Sequence, residues 1–234
     1  MKIKAVITGS TGMVGRAVLL ECLESDEVKS VVVVNRRSLN MSHPKLTEIV
    51  HSDLCELESI KEKITGCNAC FFCMGVSALG LSEDQYHDLT FKITHSFASY
   101  LNKINPNMVF NYVSGSGTDS SEKGRVMWAR VKGKTENMIL KMGFRDAYMF
   151  RPGMILPEKG VKSKTALYNF FYVILRPLFP LFRMMKSVTT SSRLGKAMIN
   201  SVIYPQENKF LENTDINLLA GRSVSLVTNP QSLA

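Results

Sequence analysis

The sequence has little of the features that mark special classes of protein. Charged residues make up only 21% of its 234 residues and hydrophobic residues 45%, which excludes a disordered chain and a coiled coil. No internal repeat or low-complexity stretch is visible, and five cysteines in a chain of this length do not form a secreted disulfide scaffold. What is left is a globular chain, long enough for one large domain with a substantial core.

Three other features that are absent or scarce in the sequence bear on the location of the protein and on its binding partners. The first apolar run, which begins at Ile3, is too short for the core of a secretory signal peptide, so we expect a cytoplasmic protein. Acidic residues number 20 against 29 lysines and arginines, a net charge of +9 that is typical of proteins that bind anions. No nucleic-acid-binding motif accompanies this charge, so we predict phosphate binding and no nucleic acid partner.

Metal ligands are scarce as well. The four histidines form no His-x-x-x-His pair. Cys67, Cys70 and Cys73 have the spacing that opens an iron–sulfur motif, but Ser77 stands where the fourth cysteine is required. We therefore predict that these cysteines are small buried hydrophobic residues and that no metal is bound.

Short β-branched runs alternate with helical patterns through the first two-thirds of the chain. The predicted strands are residues 3–8, 30–35, 47–51, 69–74, 108–113 and 147–150. The predicted helices are residues 13–25, 54–64, 83–102 and 125–141. Such alternation is typical of an α/β protein with a doubly wound parallel sheet that is covered by helices on both faces.

A glycine-rich loop follows the first predicted strand and opens the first predicted helix. Gly9 permits a tight turn, Gly12 lets the backbone approach a pyrophosphate, and Gly15 lets the helix pack closely on the strand. The helix N-terminus adds free N–H groups and the positive end of a dipole. The loop therefore predicts a Rossmann-type dinucleotide site, whose other members are Ser10, Thr11, Met13 and Val14.

The end of the second predicted strand indicates which dinucleotide is bound. Proteins that bind NAD place an acidic residue there to hold the ribose 2′-hydroxyl. This chain has Asn35 instead, followed by Arg36 and Arg37. No carboxylate repels a 2′-phosphate, and two guanidinium groups can bind one, so we predict NADP(H) as the cofactor.

The glycine spacing, with Thr8 before it, resembles the extended or atypical branch of the short-chain dehydrogenase/reductase superfamily. Within that superfamily, the chain is similar to the Tat-interacting oxidoreductase family and its bacterial epimerase-like relatives. The strings that carry this similarity are Asn35-Arg36-Arg37, Phe110-Asn111-Tyr112-Val113-Ser114, Val131-Lys132-Gly133-Lys134, Phe150-Arg151-Pro152-Gly153 and Leu211-Glu212-Asn213. The dehydrogenase fingerprint Gly-x-Gly-x-x-Gly is not matched, because Thr11 occupies its middle glycine position.

The resemblance implies further cofactor contacts at the ends of three predicted strands. It implies an adenine contact after the third strand, an apolar turn beside the cofactor after the fourth, and a Pro-Gly turn near the nicotinamide after the sixth. The residues at these places are Asp53 and Leu54; Met74, Gly75 and Val76; and Pro152, Gly153, Met154 and Ile155.

The catalytic positions depart from the superfamily pattern. The resemblance implies a serine after the fifth strand and a Tyr-x-x-x-Lys motif on the next helix. Lys132 matches the lysine, which the resemblance implies also binds the ribose of the cofactor. Trp128 stands at the tyrosine position, and an indole N–H cannot shuttle a proton. Ser114 and Ser116 both remain candidates for the serine.

Trp128 leaves several interpretations open. In the first, the protein transfers hydride with another proton donor, such as Tyr112, Tyr86 or water. In the second, Trp128 forms an aromatic wall for a planar substrate, and in the third it is a packing residue. We expect an NADP-dependent oxidoreductase or epimerase-like enzyme that acts on an apolar carbonyl or a flavin- or quinone-like small molecule. The alternative is a non-catalytic NADP(H)-dependent binding or regulatory module.

The last third of the chain has a different pattern. We expect residues 1–155 to form the NADP-binding core, and residues 156–234 a small cap, substrate region and tail within the same single domain. Residues 165–185 are strongly apolar but too interrupted to span a bilayer. They are predicted to form a substrate lid, a cap helix packed on the core or on a second subunit of a homodimer, or, least favoured, a helix on a membrane surface. A helix at 192–203, a strand at 209–212, a helical turn at 215–219 and a loose tail at 222–234 follow.

Overall fold

The computed structural model describes residues 2–161, 185 and 187–222. The strands are β1 Ile3–Thr8, β2 Val28–Asn35, β3 Leu46–Val50, β4 Ala69–Phe72, β5 Val109–Val113, β6 Asp146–Arg151, β7 Met154–Leu156, β8 Val188–Thr190 and β9 Phe210–Glu212. The helices are α1 Met13–Glu24, α2 Lys61–Ile64, α3 Glu83–His87, α4 Ile93–Ile104, α5 Met127–Leu140, α6 Ser191–Ile203 and α7 Asn213–Ala220. A 3₁₀ turn at Glu58–Ile60 precedes α2, and a π-helical turn at Asp88–Lys92 joins α3 to α4.

Seven parallel strands form the central sheet in the order β3-β2-β1-β4-β5-β6-β9. The order reverses direction between β1 and β4, so the loops that follow these two strands diverge around a crevice at the carboxyl edge. The predicted α/β fold with a doubly wound parallel sheet is confirmed. Strands β7 and β8 form a separate two-stranded parallel sheet.

Two apolar cores lie on opposite faces of the sheet. Successive side chains of a strand point to opposite faces, so Ile7 enters one core and its neighbour Val6 enters the other. The first core packs the sheet against α1, α6 and α7, and the second packs it against α4, α5 and the 58–64 segment. Strands buried on both faces explain the continuous apolar run in β2.

Several predicted boundaries were wrong for identifiable reasons. The predicted helix over residues 54–64 is helical only from residue 58, because carboxylates bind the backbone in its first part. Asp53 accepts the N–H of Cys55 at 2.8 Å, and Glu56 accepts that of Glu58 at 2.8 Å. Such local bonds compete with helix formation. Strand β4 ends at Phe72, short of the predicted residue 74.

The C-terminal third was predicted less completely. The predicted elements near residues 192–203, 209–212 and 215–219 correspond to α6, β9 and α7. The three-residue strands β7 and β8 were not predicted. Apart from Met185, the apolar segment 165–185 lies outside the described residues, as does the tail beyond Arg222. Among the helices that the structure describes, none is long and apolar enough to cross a bilayer. The division at residue 155 stays a prediction.

One glycine lets the loop after β5 lie directly on α5. A Cβ atom at Gly133 would lie 1.8 Å from the carbonyl oxygen of Asp119, which belongs to that loop. The loop is further fixed by the N–H of Asp119, which donates to the carbonyl of Ala129 at 3.1 Å. The position of the loop therefore depends on the absence of a side chain at residue 133.

We predict that Gly133→Ala destabilises the fold, because the gain in helix propensity of about 1 kcal/mol is smaller than the overpacking cost of about 3 kcal/mol. Urea unfolding would measure a net loss of about 2 kcal/mol. Lys134→Ala, at the exposed neighbouring position of α5, is the control and should cost about 1 kcal/mol or less. Equal stability of the two variants would contradict the packing argument.

Candidate dinucleotide site

The glycine loop is held by contacts that exclude side chains. Gly9 has φ +71°, and a Cβ atom there would lie 2.6 Å from the backbone carbonyl of Cys73. A Cβ atom at Gly15 would lie 2.3 Å from the carbonyl oxygen of Gly9. The loop is thus pressed between α1 and the segment after β4, and the N-terminus of α1, capped by Gly12, has no acidic residue in its first turn.

A cavity of about 760 Å³ opens at this loop. Its lining residues are Gly9, Thr11, Gly12, Val34, Asn35, Arg36, Arg37, Ser38, Leu54, Cys73, Met74 and Gly75. The cavity therefore runs from the glycine loop to the end of β2. A smaller adjoining cavity of about 100 Å³ shares Arg36, Leu54 and Met74 with it and adds Asp53 and Val76.

The residues at the end of β2 differ sharply in burial. Asn35 is buried, and its Oδ1 accepts a hydrogen bond from the Ser10 hydroxyl at 2.9 Å. This bond ties the glycine loop to β2. Arg36 and Arg37 are exposed, and neither has an ion-pair partner among the described residues. Two guanidinium groups are therefore available to an anion in the cavity.

The loops after β5 and β6 are bonded to each other at the same edge of the sheet. The N–H of Ser114 donates to the carbonyl of Phe150 at 2.9 Å, and that of Ser116 donates to the carbonyl of Pro152 at 3.0 Å. The N–H of Gly153 donates to Oδ1 of Asn213 at 3.1 Å. Backbone hydrogen bonds thus join the loop that carries both predicted serines to the predicted Pro-Gly turn.

A largely buried ion pair lies beside these two loops. The carboxylate of Glu136, on α5, is fully buried and bonds the guanidinium of Arg151, whose Nε lies 3.0 Å from Oε1. The hydroxyl of Ser114 donates to the same carboxylate at 2.5 Å. Sequence reasoning missed Glu136; its only signal was its position one helical turn after Lys132, facing the same loop.

Lys132 also points at the loop rather than at solvent. Its ammonium group donates to the carbonyl oxygen of Ser114. Burial lowers the pKa of Lys132 from its ordinary 10.5 to about 8, and the nearby carboxylate of Glu136 only partly opposes this. We therefore expect Lys132 to lose its proton near pH 8, in mildly alkaline solution.

The aromatic candidates are placed differently from one another. Trp128 is half-buried, and its ring lies against Gly117 in the loop after β5. Tyr112 and Tyr86 are almost fully buried, and burial raises the pKa of both phenols. Neither phenol is exposed at the candidate site, and the suggestion that one of them replaces the missing proton donor stays a prediction.

The structure brings the predicted cofactor residues together in two groups. The glycine loop, the end of β2 and the residues after β3 and β4 meet around the two cavities. The residues after β5 and β6 form the second group, in which backbone hydrogen bonds join the two loops. Within the predicted Pro-Gly segment, Gly153 and Met154 are exposed, whereas Pro152 and Ile155 are buried. The arrangement is that of a Rossmann-type nucleotide-binding protein.

Comparison with known proteins gives the family. Residues 5–136 match the NAD dependent epimerase/dehydratase family. The chain belongs to this family, which confirms its resemblance to the wider superfamily. The narrower resemblance to the Tat-interacting oxidoreductases stays a prediction.

Similar proteins of known sequence include two from fungi. The protein named "Protein fmp52-2, mitochondrial" from Aspergillus terreus is 29% identical over 174 residues, which cover 70% of this chain and 72% of that protein. "Protein FMP52, mitochondrial" from Candida albicans is 28% identical over 157 residues, covering 65% of this chain and 67% of that protein.

Solved structures share the fold at low sequence identity. The Bordetella bronchiseptica enzyme WbmH, in complex with NAD+, superposes with a TM-score of 0.64 at 17% identity, covering 87% of this chain and 72% of that chain. A UDP-galactose 4-epimerase superposes with a TM-score of 0.64 at 15% identity, covering 89% and 75%. These matches confirm the fold.

The names of the fungal relatives correct one expectation. The sequence led us to expect a cytoplasmic protein, and this is contradicted by relatives that are named as mitochondrial. The reasoning failed because it tested only for the apolar core of a secretory signal, which says nothing about import into other organelles.

The lowered pKa of Lys132 predicts a specific pH dependence of stability. Between about pH 8 and 10.5 the unfolded chain keeps the proton on Lys132 that the folded chain has lost. Stability rises with pH where the unfolded state binds more protons. The free energy of unfolding of the wild type should therefore rise through this window relative to that of Lys132→Met.

Urea unfolding of both proteins at several pH values measures this difference. Lys134→Met, on the same helix but exposed, controls for the loss of a lysine from α5. Parallel curves for the wild type and Lys132→Met would show that burial does not lower the pKa of Lys132.

Proposed function

We propose that this chain is an NADP(H)-dependent oxidoreductase or epimerase-like enzyme. The observation that carries the proposal is the cavity of about 760 Å³ that joins the glycine loop to Arg36 and Arg37. A pyrophosphate at the N-terminus of α1 and a 2′-phosphate at the two arginines would both be met by groups of opposite charge. An acidic residue that would favour NAD at the end of β2 is replaced by Asn35.

The residues that line the two cavities fit the adenosine and pyrophosphate parts of such a dinucleotide. The space around Gly9 and Gly15 is closed to side chains, which leaves the backbone of the glycine loop at the wall of the cavity. The smaller cavity beside Asp53 and Leu54 suits an adenine ring. The nicotinamide end would then lie toward Gly153 and the loop after β5.

Bound NADPH would supply a hydride, and the surrounding residues would hold the carbonyl that receives it. A serine hydroxyl of the loop after β5 would orient the substrate oxygen by a hydrogen bond. Lys132 fixes this loop through the carbonyl of Ser114. Because Tyr86 and Tyr112 are buried, we propose that the proton comes from water.

The surroundings of the loop support an apolar or planar substrate. Trp128 lies against Gly117 in the loop after β5, and Met154, which is 38% exposed, follows the Pro-Gly turn. An aromatic face and a flexible thioether suit a quinone, a flavin or an apolar aldehyde better than a sugar. From the names of the fungal relatives, we propose a mitochondrial location for this activity.

A second candidate function rests on the same tryptophan. Trp128 stands where the superfamily has its proton-exchanging tyrosine, and Ser114 is bonded to Glu136. A protein that binds NADP(H) without turnover, and responds to it as a binding or regulatory module, fits these two facts. Turnover distinguishes the two functions.

We predict that Arg36→Ala together with Arg37→Ala lowers the affinity for NADPH about 100-fold, since two hydrogen-bonded contacts to the 2′-phosphate are lost. The affinity for NADH should stay within about twofold, because NADH lacks this phosphate. Calorimetric titration of both nucleotides gives the two values. Arg145→Ala is the control, because Arg145 is exposed at the opposite edge of the sheet, before β6. A wild type that binds neither nucleotide would refute the proposal.

We predict that the wild type oxidises NADPH with at least one member of a panel of quinones, flavins and aldehydes. Trp128→Tyr should raise the rate with aldehydes, which need a proton donor, by about 100-fold or more. Initial rates of loss of NADPH absorbance measure both. Turnover in the variant alone would favour the binding module, and its absence from both proteins would contradict this prediction.

A further inference from the structure

Ser114 and Ser116 lie two residues apart but face different surroundings. Ser114 is 5% exposed, and its hydroxyl lies 2.5 Å from the carboxylate of Glu136 and 3.2 Å from the carbonyl of Phe150. Glu136 is itself fully buried, so releasing Ser114 would leave a buried carboxylate with one donor fewer. The Ser114 hydroxyl is therefore committed to the interior.

Ser116 is turned outward by the two glycines that flank it. Gly115 has φ +133° and Gly117 has φ +82°, a backbone that side chains rarely permit. The backbone of Ser116 is fixed by its bond to the carbonyl of Pro152, while its side chain is exposed beside Gly153. A Cβ atom at Gly153 would lie only 3.6 Å from the Cβ atom of Ser116.

Asn213 binds the Pro-Gly turn that lies beside Ser116. This residue, the first of α7, is buried, and its Oδ1 accepts the N–H of Gly153 at 3.1 Å. Its Nδ2 donates to the carbonyls of Met154 at 3.2 Å and Ser187 at 2.5 Å. One side-chain amide thus joins the Pro-Gly turn, the start of β7 and the residue before β8.

We infer that Ser116 is the hydroxyl that faces the nicotinamide end of the cofactor and the substrate, and that Asn213 is the positioning residue that keeps the Pro-Gly turn against it. Ser114 has a structural role, as the partner of the buried Glu136. The inference rests on the proposed NADP(H) binding, which calorimetry tests separately.

Cysteine substitution tests the placement of each serine. In a Cys55→Ser background, which removes the one exposed thiol and leaves four that are buried or half-buried, Ser116→Cys should react rapidly with a maleimide and Ser114→Cys slowly. NADPH at 100 times its Kd should slow labelling of Ser116→Cys by about tenfold or more, since about 1% of sites are then free. Adenosine 2′,5′-bisphosphate, which lacks the nicotinamide half, should protect much less.

The outcomes distinguish the placement of Ser116 at the nicotinamide end from the binding of NADP(H) itself. Labelling of Ser116→Cys that saturating NADPH leaves unchanged, or protection of Ser114→Cys instead, would overturn the inference while leaving NADP(H) binding intact. A protein that binds no NADPH overturns both. As a check on folding, Ser114→Ala should lower the thermal midpoint, whereas Ser116→Ala should not, because only Ser114 is bonded to the buried Glu136.

Asn213→Ala in the Ser116→Cys background tests the positioning role. We expect NADPH to bind with nearly unchanged Kd, since its phosphate contacts are distant, but to protect the thiol several-fold less. Asn200→Ala is the matched control, because Asn200 also donates to two backbone carbonyls, those of Leu219 and Arg222, away from the site. Full protection in Asn213→Ala would show that the amide supports the fold only.

Discussion

The geometry of the site depends on close backbone-to-backbone contact at Gly9 and Gly15. Their hypothetical Cβ atoms would lie 2.3 to 2.6 Å from neighbouring main-chain atoms, so no other residue fits at either position without moving α1 or the segment after β4. This contact brings the first turn of α1 to the carboxyl edge of the sheet. The crevice between the diverging strands β1 and β4 then becomes a cavity bounded by the glycine loop on one side and by Arg36 and Arg37 on the other.

The other half of the site depends on a charged pair instead of on glycine. Glu136 and Arg151 form an ion pair within the protein, and removal of one partner from such a pair is typically costly, about 3–5 kcal/mol. The pair fixes the loop after β5 because it also holds the hydroxyl of Ser114. Of the two serines that the sequence offers for chemistry, Ser114 thus has a structural role and Ser116 is left exposed.

The fold could be predicted from the sequence because its signals are local and repeated. Strand β1 was predicted with its observed bounds, and Gly9, Gly12 and Gly15 pointed to the loop that lines the cavity. The roles of Ser114 and Ser116 could not be separated in the same way. Their difference depends on Glu136 and Arg151, which are 22 and 37 residues from Ser114 in the chain and meet it only in the folded protein. The three-residue strands β7 and β8 were missed because each is too short to show a period.

A crystal structure of the protein with NADP+ tests the central claim most directly. The account predicts the pyrophosphate at the first turn of α1, the 2′-phosphate within hydrogen-bonding distance of Arg36 or Arg37, and the nicotinamide ring beside Gly153 and Ser116. A 2′-phosphate that points into solvent, away from both arginines, would contradict the assignment of NADP(H). A nucleotide bound outside the crevice between β1 and β4 would contradict the account of the site as a whole.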